Sequence, residues 1–405
     1  MTNTPFLSLI GIGEEGLSGL SAQAYHHLTQ AQHVFGGRRH LALADSAITG
    51  QRHEWIYPIR NNLDKIIHCK PETVAVLASG DPFCYGIGST IAHNLPAEDI
   101  QCFPVLSSFS LACATLKWSQ PDCQLVSLCG RPLATLRPFL QEYTRLVILS
   151  ANAQTPHEVA DYMSNLGFSS ARMHVLEALG GPQERMRTIT LPAPLPTDLY
   201  PLHLIALETG PCLTPELILA RSPGRADSLF EHDGQITRAP LRALTLAALQ
   251  PRREEVLWDI GAGSGAIGIE WMLTHPSCKA IGIEQNPERA ERAMRNAQTL
   301  GVPAYQVIQG QALEVLQTLS TAPHAIFIGG GCSSSLLDYA WHALPAGGRL
   351  VVNAVTAETE ALLFDRYQQW GGSLSRFQAE YLTPLGRKRG FKPDRTITQY
   401  CITHP

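Results

Sequence analysis

The stretch Asp259-Ile-Gly-Ala-Gly-Ser-Gly265 limits the folds open to this chain more than any other. Ahead of it, Glu255-Val-Leu-Trp258 is apolar enough for a buried strand, and behind it residues 266–273 read as a helix. Three glycines between strand and helix define a turn whose backbone can enter positive φ and lie close to a ligand. Glu284 closes the next apolar run, Lys279-Ala-Ile-Gly-Ile283, where an acid can accept both hydroxyl protons of a ribose. The pattern is that of an open α/β sheet with a ligand at its strand ends.

Two ligands fit this geometry. Gly261, Gly263 and Ala266 satisfy the G-x-G-x-x-G/A of a dinucleotide site. Asp259, two residues before the first glycine, and a third glycine at 265 resemble instead the D-x-G-x-G-x-G turn of Rossmann-like S-adenosylmethionine (SAM) methyltransferases. Acid side chains and a bare turn suit a methionine ammonium and an adenosine, with no pyrophosphate to hold. SAM is favoured over NAD.

The remainder of the second half reads as a doubly wound sheet. Asn286 is a good N-cap and Pro287 suits the first helical position, so a helix should run to Leu300 and stop at Gly301. Glu288 with Arg292 and Glu291 with Arg295 are expected i,i+4 pairs on its solvated face. Further strands are expected at 305–309, 325–328 and 350–355. They lead into Gly310-Gln-Ala312, Gly329-Gly-Gly331 and Thr356, which should line the site beyond the carboxyl ends of the strands. Residues 374–382 and 396–403 suit an antiparallel pair at the sheet edge.

In the first half, residues 6–10 form an expected strand that runs into Gly11-Ile-Gly13-Glu-Glu-Gly16. This is a formal G-x-G-x-x-G, yet no acid clearly ends a second strand at the right spacing, and a tight structural turn explains it at least as well. Residues 74–78 make a β-branched-rich strand that opens into Ser79-Gly-Asp-Pro-Phe-Cys-Tyr-Gly-Ile-Gly88. Glycines and a proline so closely spaced give a shaped loop, not a regular element. Ser107-Ser-Phe109 begins another helical stretch, with hydroxyls that either cap it or touch a ligand.

A chain of 405 residues implies about two or three domains, and 44% hydrophobic residues supply two cores. Between the halves, residues 221–234 break the strand and helix rhythm and read as a linker. A net charge of −4 without a long basic run argues against a nucleic-acid partner. The first residues lack the basic, apolar pattern of a signal peptide, and no apolar run reaches membrane-spanning length. The ten cysteines are scattered, without a C-x-x-C pair or a metal-like grouping with the fifteen histidines. A reduced, cytoplasmic, metal-free protein with no membrane partner is expected.

Taken together, the two halves resemble the fused precorrin-6Y C5,15-methyltransferase (decarboxylating) family of cobalamin biosynthesis. The first half is similar to the tetrapyrrole methylase fold through Ile10-Gly-Ile-Gly-Glu-Glu-Gly16, Gly36-Gly-Arg-Arg-His-Leu41 and Gly80-Asp-Pro-Phe-Cys-Tyr-Gly-Ile-Gly88, with residues 118–122 and 177–185 as further matches. The second half is similar to a class I SAM methyltransferase domain through Asp233-Gly-Gln-Ile-Thr-Arg-Ala-Pro-Leu-Arg242, residues 258–265, Glu284-Gln-Asn-Pro287, residues 326–331 and residues 347–355. The resemblance covers nearly the whole chain, and the order of the halves adds specificity.

It implies residues 1–215 as a tetrapyrrole methylase domain for C5, 216–232 as linker, and 233–405 as the domain for C15 methylation and decarboxylation. Two SAM sites of unrelated architecture follow, with a precorrin as the small-molecule substrate. The first would use Asp81, Cys84, Ser107 and Ser108. The second would use Thr237, Gly261, Ala262, Gly263, Ser264, Gly265, Glu284 and Ala312. Thr237 has an alternative as N-cap of the helix through Leu246. Arg238 stands where the family usually has lysine, and the tail Pro384-Leu-Gly-Arg-Lys-Arg-Gly-Phe-Lys-Pro393 is unusually basic. The family also implies a homo-oligomer, since its C-terminal domains tend to form tetramers.

The substrate bears many acetate and propionate groups, so arginines should hold carboxylates through paired donors. Arg38, Arg39, Arg131, Arg242 and the Arg387–Arg389 cluster are candidates, each with a solvated surface charge as its plainer reading. Methyl transfer from a sulfonium to carbon needs proximity, alignment and a dry pocket more than a strong base. No residue is singled out as catalytic, and the proton donor for decarboxylation is left unnamed. Other readings are the same chemistry on a cobalt-precorrin, a methylase for a different tetrapyrrole, an NAD(P)-linked reductase, and a first domain that serves only as scaffold.

Overall fold

The computed structural model describes residues 5–56, 58 and 61–405. The leader reading of residues 1–4 lies outside them. The chain divides into two units, residues 1–133 with 141–215, and residues 134–140 with 216–405.

The first unit holds two five-stranded sheets. The first is wholly parallel: β1 (Leu7–Ile12), β2 (His33–Gly36), β3 (Gln51–Glu54), β4 (Val74–Ser79) and β5 (Ile100–Phe103), in the order β3-β2-β4-β1-β5. Both faces are covered. Ile10, Ile12, Val34, Ala75 and Leu77 pack on one side, while Leu7, Leu9, Phe35, Val74 and Val76 pack on the other. That is why the central strands β1 and β4 read as nearly continuous apolar runs, whereas the edge strand β3 is polar. The second sheet contains β6 (Cys123–Ser127), β7 (Arg145–Leu149), β8 (Arg172–Glu177), β9 (Arg185–Thr190) and β10 (His203–Glu208), ordered β6-β7-β10-β8-β9 and antiparallel except for β6 with β7.

In the second unit, β11 (Val256–Ile260), β12 (Lys279–Glu284), β13 (Gln306–Gln309), β14 (Ala325–Ile328) and β15 (Arg349–Ala354) are parallel. β16 (Ser373–Phe377) follows, then β17 (Glu380–Leu385), β18 (Lys388–Pro393) and β19 (Ile397–Thr403). The seven-stranded order is β13-β12-β11-β14-β15-β19-β16, with β19 antiparallel to both neighbours. Alternate residues feed two cores: Leu257, Ala280 and Phe327 on one face, Trp258, Ile260, Ile281 and Ile326 on the other. The order reverses direction between β11 and β14, the position at which such sheets open a crevice.

Several expectations change here. The run 374–382 is divided: its start pairs with β19, while β17 leaves to form a separate hairpin with β18, the basic tail. Segment 216–232 packs into the second unit instead of hanging free. Leu219 and Phe230 are buried in its core, and Glu270 accepts hydrogen bonds from the Gly224 and Arg225 amides at 2.7 and 3.1 Å. Its polar composition hid two buried anchors. On helix Pro287–Thr299, Asn286 caps as expected, accepting from the Arg289 amide at 3.1 Å, and Gly301 follows with φ +86°. Arg292, however, pairs with Asp233 at 3.2 Å in place of Glu288, because the preceding loop folds back over that face.

Candidate active sites in two clefts

The second unit has a cleft of about 640 Å³ at the carboxyl ends of β11, β12 and β14. Thr237, Gly261, Ala262, Gly263, Ser264, Glu284 and Ala312 all line it, and Gly265 closes the turn behind them as N-cap of helix Ala266–Met272. Gly310, Gln311 and Gly329 to Gly331 are there too, as the strand ends require. Gly261 cannot carry a side chain: its φ is +71°, and a Cβ would lie 2.8 Å from the Gly330 nitrogen.

The turn spends its amides inward. Gly261 and Ala262 donate to the Ile283 carbonyl at 2.9 and 3.1 Å, Gly263 to Glu284 Oε2 at 2.8 Å, and Gly265 to the Ala262 carbonyl at 2.8 Å. Donors committed in this way do not serve a pyrophosphate, so the bare surface of the turn faces the ligand. Glu284 is held at the end of β12 by these bonds and by the Asn286 amide at 2.9 Å. Asp259 lies deeper, with Oδ2 accepting from the Gly268 amide at 2.9 Å and the Tyr305 hydroxyl at 2.8 Å, while Oδ1 is buried without a partner. Burial pushes its carboxyl up to about 6, and the Glu284 charge adds to the rise against the two donated bonds. The Glu284 carboxylate at the strand end and a bare turn fit a ligand with vicinal hydroxyls better than a phosphate ester.

Thr237 does not cap a helix. The helix is Ala239–Leu249 with Arg238 at its N-cap, and the Thr237 carbonyl accepts from the Arg242 guanidinium. Arg242 is no substrate anchor either. It is 0% exposed and bonded to Glu270 at 3.0 Å, Asp227 at 2.6 Å and the Arg225 carbonyl. In sequence it looked like any helical arginine, and only packing buries it.

The first unit has a cleft of about 420 Å³, lined from both of its sheets. Asp81, Cys84, Ser107 and Ser108 meet there, with Gly13, Glu14, Arg39, His40, Ser79 and Tyr85. Gly11 belongs to the fold, not to a nucleotide site: a Cβ on it would sit 1.9 Å from the Gly80 carbonyl. Asp81 Oδ1 accepts from the Phe83 amide at 2.8 Å, which shapes the loop. Ser107 caps helix Ser108–Leu116 through the Ser110 amide at 3.1 Å and also lines the cleft, so both readings of this serine hold geometrically. Burial raises the Cys84 thiol pKa, against a hydrogen bond with Ser107. Burial and the neighbouring Arg39 charge push the His40 imidazole down to about 4. Arg39 is paired with Glu14 and bonds Ser79 at 3.1 Å, and Arg38 is exposed away from the cleft.

The tetrapyrrole (corrin/porphyrin) methylase family matches residues 7–194, and the precorrin methyltransferase domain matches residues 228–404. A Sinorhizobium sp protein named precorrin-6Y C(5,15)-methyltransferase (decarboxylating) is 45% identical over 99% of this chain and 97% of its own. A Mycobacterium tuberculosis protein of the same name is 37% identical over 98% of this chain and 99% of its own. The chain belongs to this family. A Salmonella typhimurium protein named cobalt-precorrin-6B C(15)-methyltransferase (decarboxylating) is 31% identical over 42% of this chain and 91% of its own.

As a decarboxylating precorrin methyltransferase, the chain is not read as a nicotinamide reductase, in keeping with the inward amides of its glycine turn. Two cationic residues of the second cleft escaped the sequence reading, Arg289 and Arg395, and Arg238, noted there only for replacing a lysine, lines it as well. Arg238 lies 3.3 Å from Asp227 and 3.7 Å from Asp394, and Arg289 bonds Asp233 at 2.8 Å. Arg289 and Arg395 lie far apart in the chain and left no local signal. Among the described residues, no helix is long and apolar enough to cross a membrane.

Proposed function

We propose that this methyltransferase adds methyl groups at C5 and C15 of precorrin-6B and decarboxylates its ring C acetate, giving precorrin-8, with SAM as donor in both units. The observation that carries the reading is the pair of separate clefts. Each lies at the strand ends of a parallel sheet, and each gathers residues that the family motifs single out. In the first, Asp81, Cys84, Ser107 and Ser108 would hold the donor. In the second, Thr237, Gly261 to Gly265, Glu284 and Ala312 would do so, with the Glu284 carboxylate suited to ribose hydroxyls.

When bound, SAM supplies a methyl group on a sulfonium sulfur that leaves as a neutral thioether. The protein's part is to align a meso carbon of the macrocycle and keep water out. Arg238, Arg289 and Arg395 are placed to hold substrate carboxylates at the second cleft, where guanidinium donors bind in pairs. Assigning C15 methylation and decarboxylation to residues 233–405 is supported by the Salmonella relative, whose name carries both activities on a chain matching 42% of this one. The full-length relatives are named for precorrin-6Y, which supports a precorrin as the substrate. The reading extends to a homo-oligomer, a tetramer built through the β17–β18 hairpin. On it Leu382, Leu385 and Phe391 are exposed, an apolar surface that a second copy would cover.

Mass spectrometry after incubation with metal-free precorrin-6B and SAM tests the reaction. Two methyl groups gained with one carbon dioxide lost is the expected result. Turnover of the cobalt form alone would move the enzyme to the cobalt substrate, and inertness toward both would remove the substrate assignment.

A further inference from the structure

Tyr85 has a conformation that the fold does not otherwise explain. It is a non-glycine residue with φ +55°, a left-handed backbone that costs a side-chain-bearing residue stability and clusters at functional sites. Its neighbours in the loop include Gly86, which would have adopted positive φ freely, yet the strain falls on the tyrosine. The result is a ring turned outward at the first cleft, 49% exposed, with its hydroxyl 3.3 Å from the Leu125 carbonyl. Leu106, 65% exposed, lines the same cleft. The Arg131 guanidinium lies over the Tyr85 ring, 5.0 Å from its centroid, and Arg39 lines the cleft as well.

We propose that Tyr85 and Leu106 form a platform for one face of the tetrapyrrole macrocycle at the first cleft, with Arg131 placed to take a peripheral carboxylate. The proposal rests on the reading that this unit methylates C5. The chemistry is complementary: the ligand has a flat apolar face and an anionic rim, and the protein offers an aromatic and an aliphatic side chain beside a cation. Among the described residues, Arg131 is exposed and stacked on Tyr85 with no carboxylate at ion-pairing distance, whereas Arg39 is paired with Glu14. A guanidinium stacked on an aromatic face keeps its edge donors available for a bidentate anion. Tyr85 thus acts as a positioning residue for the macrocycle, one residue beyond Cys84 on the donor side of the cleft.

The test uses the full chain, with the position of each new methyl group read by mass spectrometry and NMR. Tyr85→Ala should raise KM for the tetrapyrrole in C5 methylation roughly tenfold. SAM affinity at the first cleft, C15 methylation and decarboxylation should all stay as they were. Tyr85→Phe should recover most of the loss, since the ring and not the hydroxyl carries the contact. Arg131→Gln should raise the same KM about threefold, and by less as salt is increased. An unchanged KM in Tyr85→Ala overturns the platform, as does a loss of SAM binding of equal size, which would mark a merely structural loop residue. Asp81→Ala separates the two levels. If it removes the C5 methyl while Tyr85→Ala behaves as wild type, the platform fails and the C5 reading stands. If both methyl groups survive Asp81→Ala, the C5 reading fails and takes the platform with it.

Discussion

The two clefts, each proposed to seat a donor against a macrocycle, are encoded with different amounts of local information. The second takes its glycine turn and its acid from residues 256–284, one strand, one turn, one helix and the end of the next strand, although its full lining runs from Gly234 to Ile397. The first draws on residues from Ile12 to Leu204 and on both sheets of its unit. Its shape depends on a carbonyl, Gly80, pressed against a strand glycine, Gly11, far away in sequence. A site encoded by one supersecondary unit is visible from its spacing, whereas a site made by convergence of loops is visible only through family resemblance.

The units also differ in how they use buried charge, and the largest predicted effect follows from that. Arg242→Met removes one of the two buried cations beside Glu270, which keeps Arg225 at 3.7 Å and two amide donors, and breaking a buried pair from one side costs up to about 3–5 kcal/mol. In calorimetry the transition of the second unit should fall while that of the first stays. Arg39→Met in the first unit breaks a partly exposed pair and should cost under about 1 kcal/mol. Equal losses from the two would erase the contrast.

Acid should act on the units in opposite directions through one residue each. The Asp259 carboxyl is raised to about 6 from 3.8, so the folded state holds the proton more tightly than the unfolded one. Stability from this group is complete below pH 3.8 and is lost as pH rises through about 6, on the order of 3 kcal/mol. Glu177 runs the other way. Burial opposes its ionisation, but hydrogen bonds from Arg185 and the Tyr200 amide, with the Arg185 and Arg187 charges, outweigh burial and lower its pKa. Its stabilisation is present above the unfolded value of 4.5 and lost as pH falls through the depressed one. Urea unfolding from pH 7 to well below 4.5 reads both. Asp259→Asn should flatten the second unit's dependence between about 4 and 6, and an unaltered slope would place the responsible proton elsewhere.

Two glycine substitutions sharpen the comparison at the level of activity. Gly261→Ala forces a Cβ to 2.8 Å from a backbone nitrogen at positive φ, and C15 methylation with decarboxylation should drop about 100-fold while C5 methylation persists. Gly11→Ala, with a Cβ 1.9 Å from the Gly80 carbonyl, should invert that pattern. A mixed loss from either would mean that the clefts do not work separately. The smallest effect concerns assembly: Leu385→Asp with Phe391→Asp should lower the sedimentation coefficient and change neither methylation more than about twofold. An unchanged coefficient would take the hairpin out of the interface.

Much of the second unit was legible because its signals are local. Asn286, Pro287 and Gly301 bound a helix through backbone groups within one turn of themselves, and that helix was found as read. Residues 325–328 formed their strand with the expected bounds. The failures were all long-range. Residues 221–234 have linker composition, yet Phe230 among them is buried in the core, as is Leu219 just before them. Residues 374–382 look like one strand, but the chain leaves the sheet after Phe377 to make a hairpin. Thr237 resembles a cap until its carbonyl is taken by Arg242.

The sequence alone determined the parallel α/β character of the chain, the glycine turn with its acid, and the family, because hydrophobic period, turn chemistry and motif order are properties of neighbours along the chain. Tertiary structure alone decided that Arg242 is structural while Arg238, Arg289 and Arg395 line the cleft. It also decided that the turn's amides point inward and that Asp259 is buried near neutrality instead of facing a ligand openly. The physical reason is desolvation: whether a charge is a binding group or a strut depends on what covers it, and cover comes from residues distant in sequence.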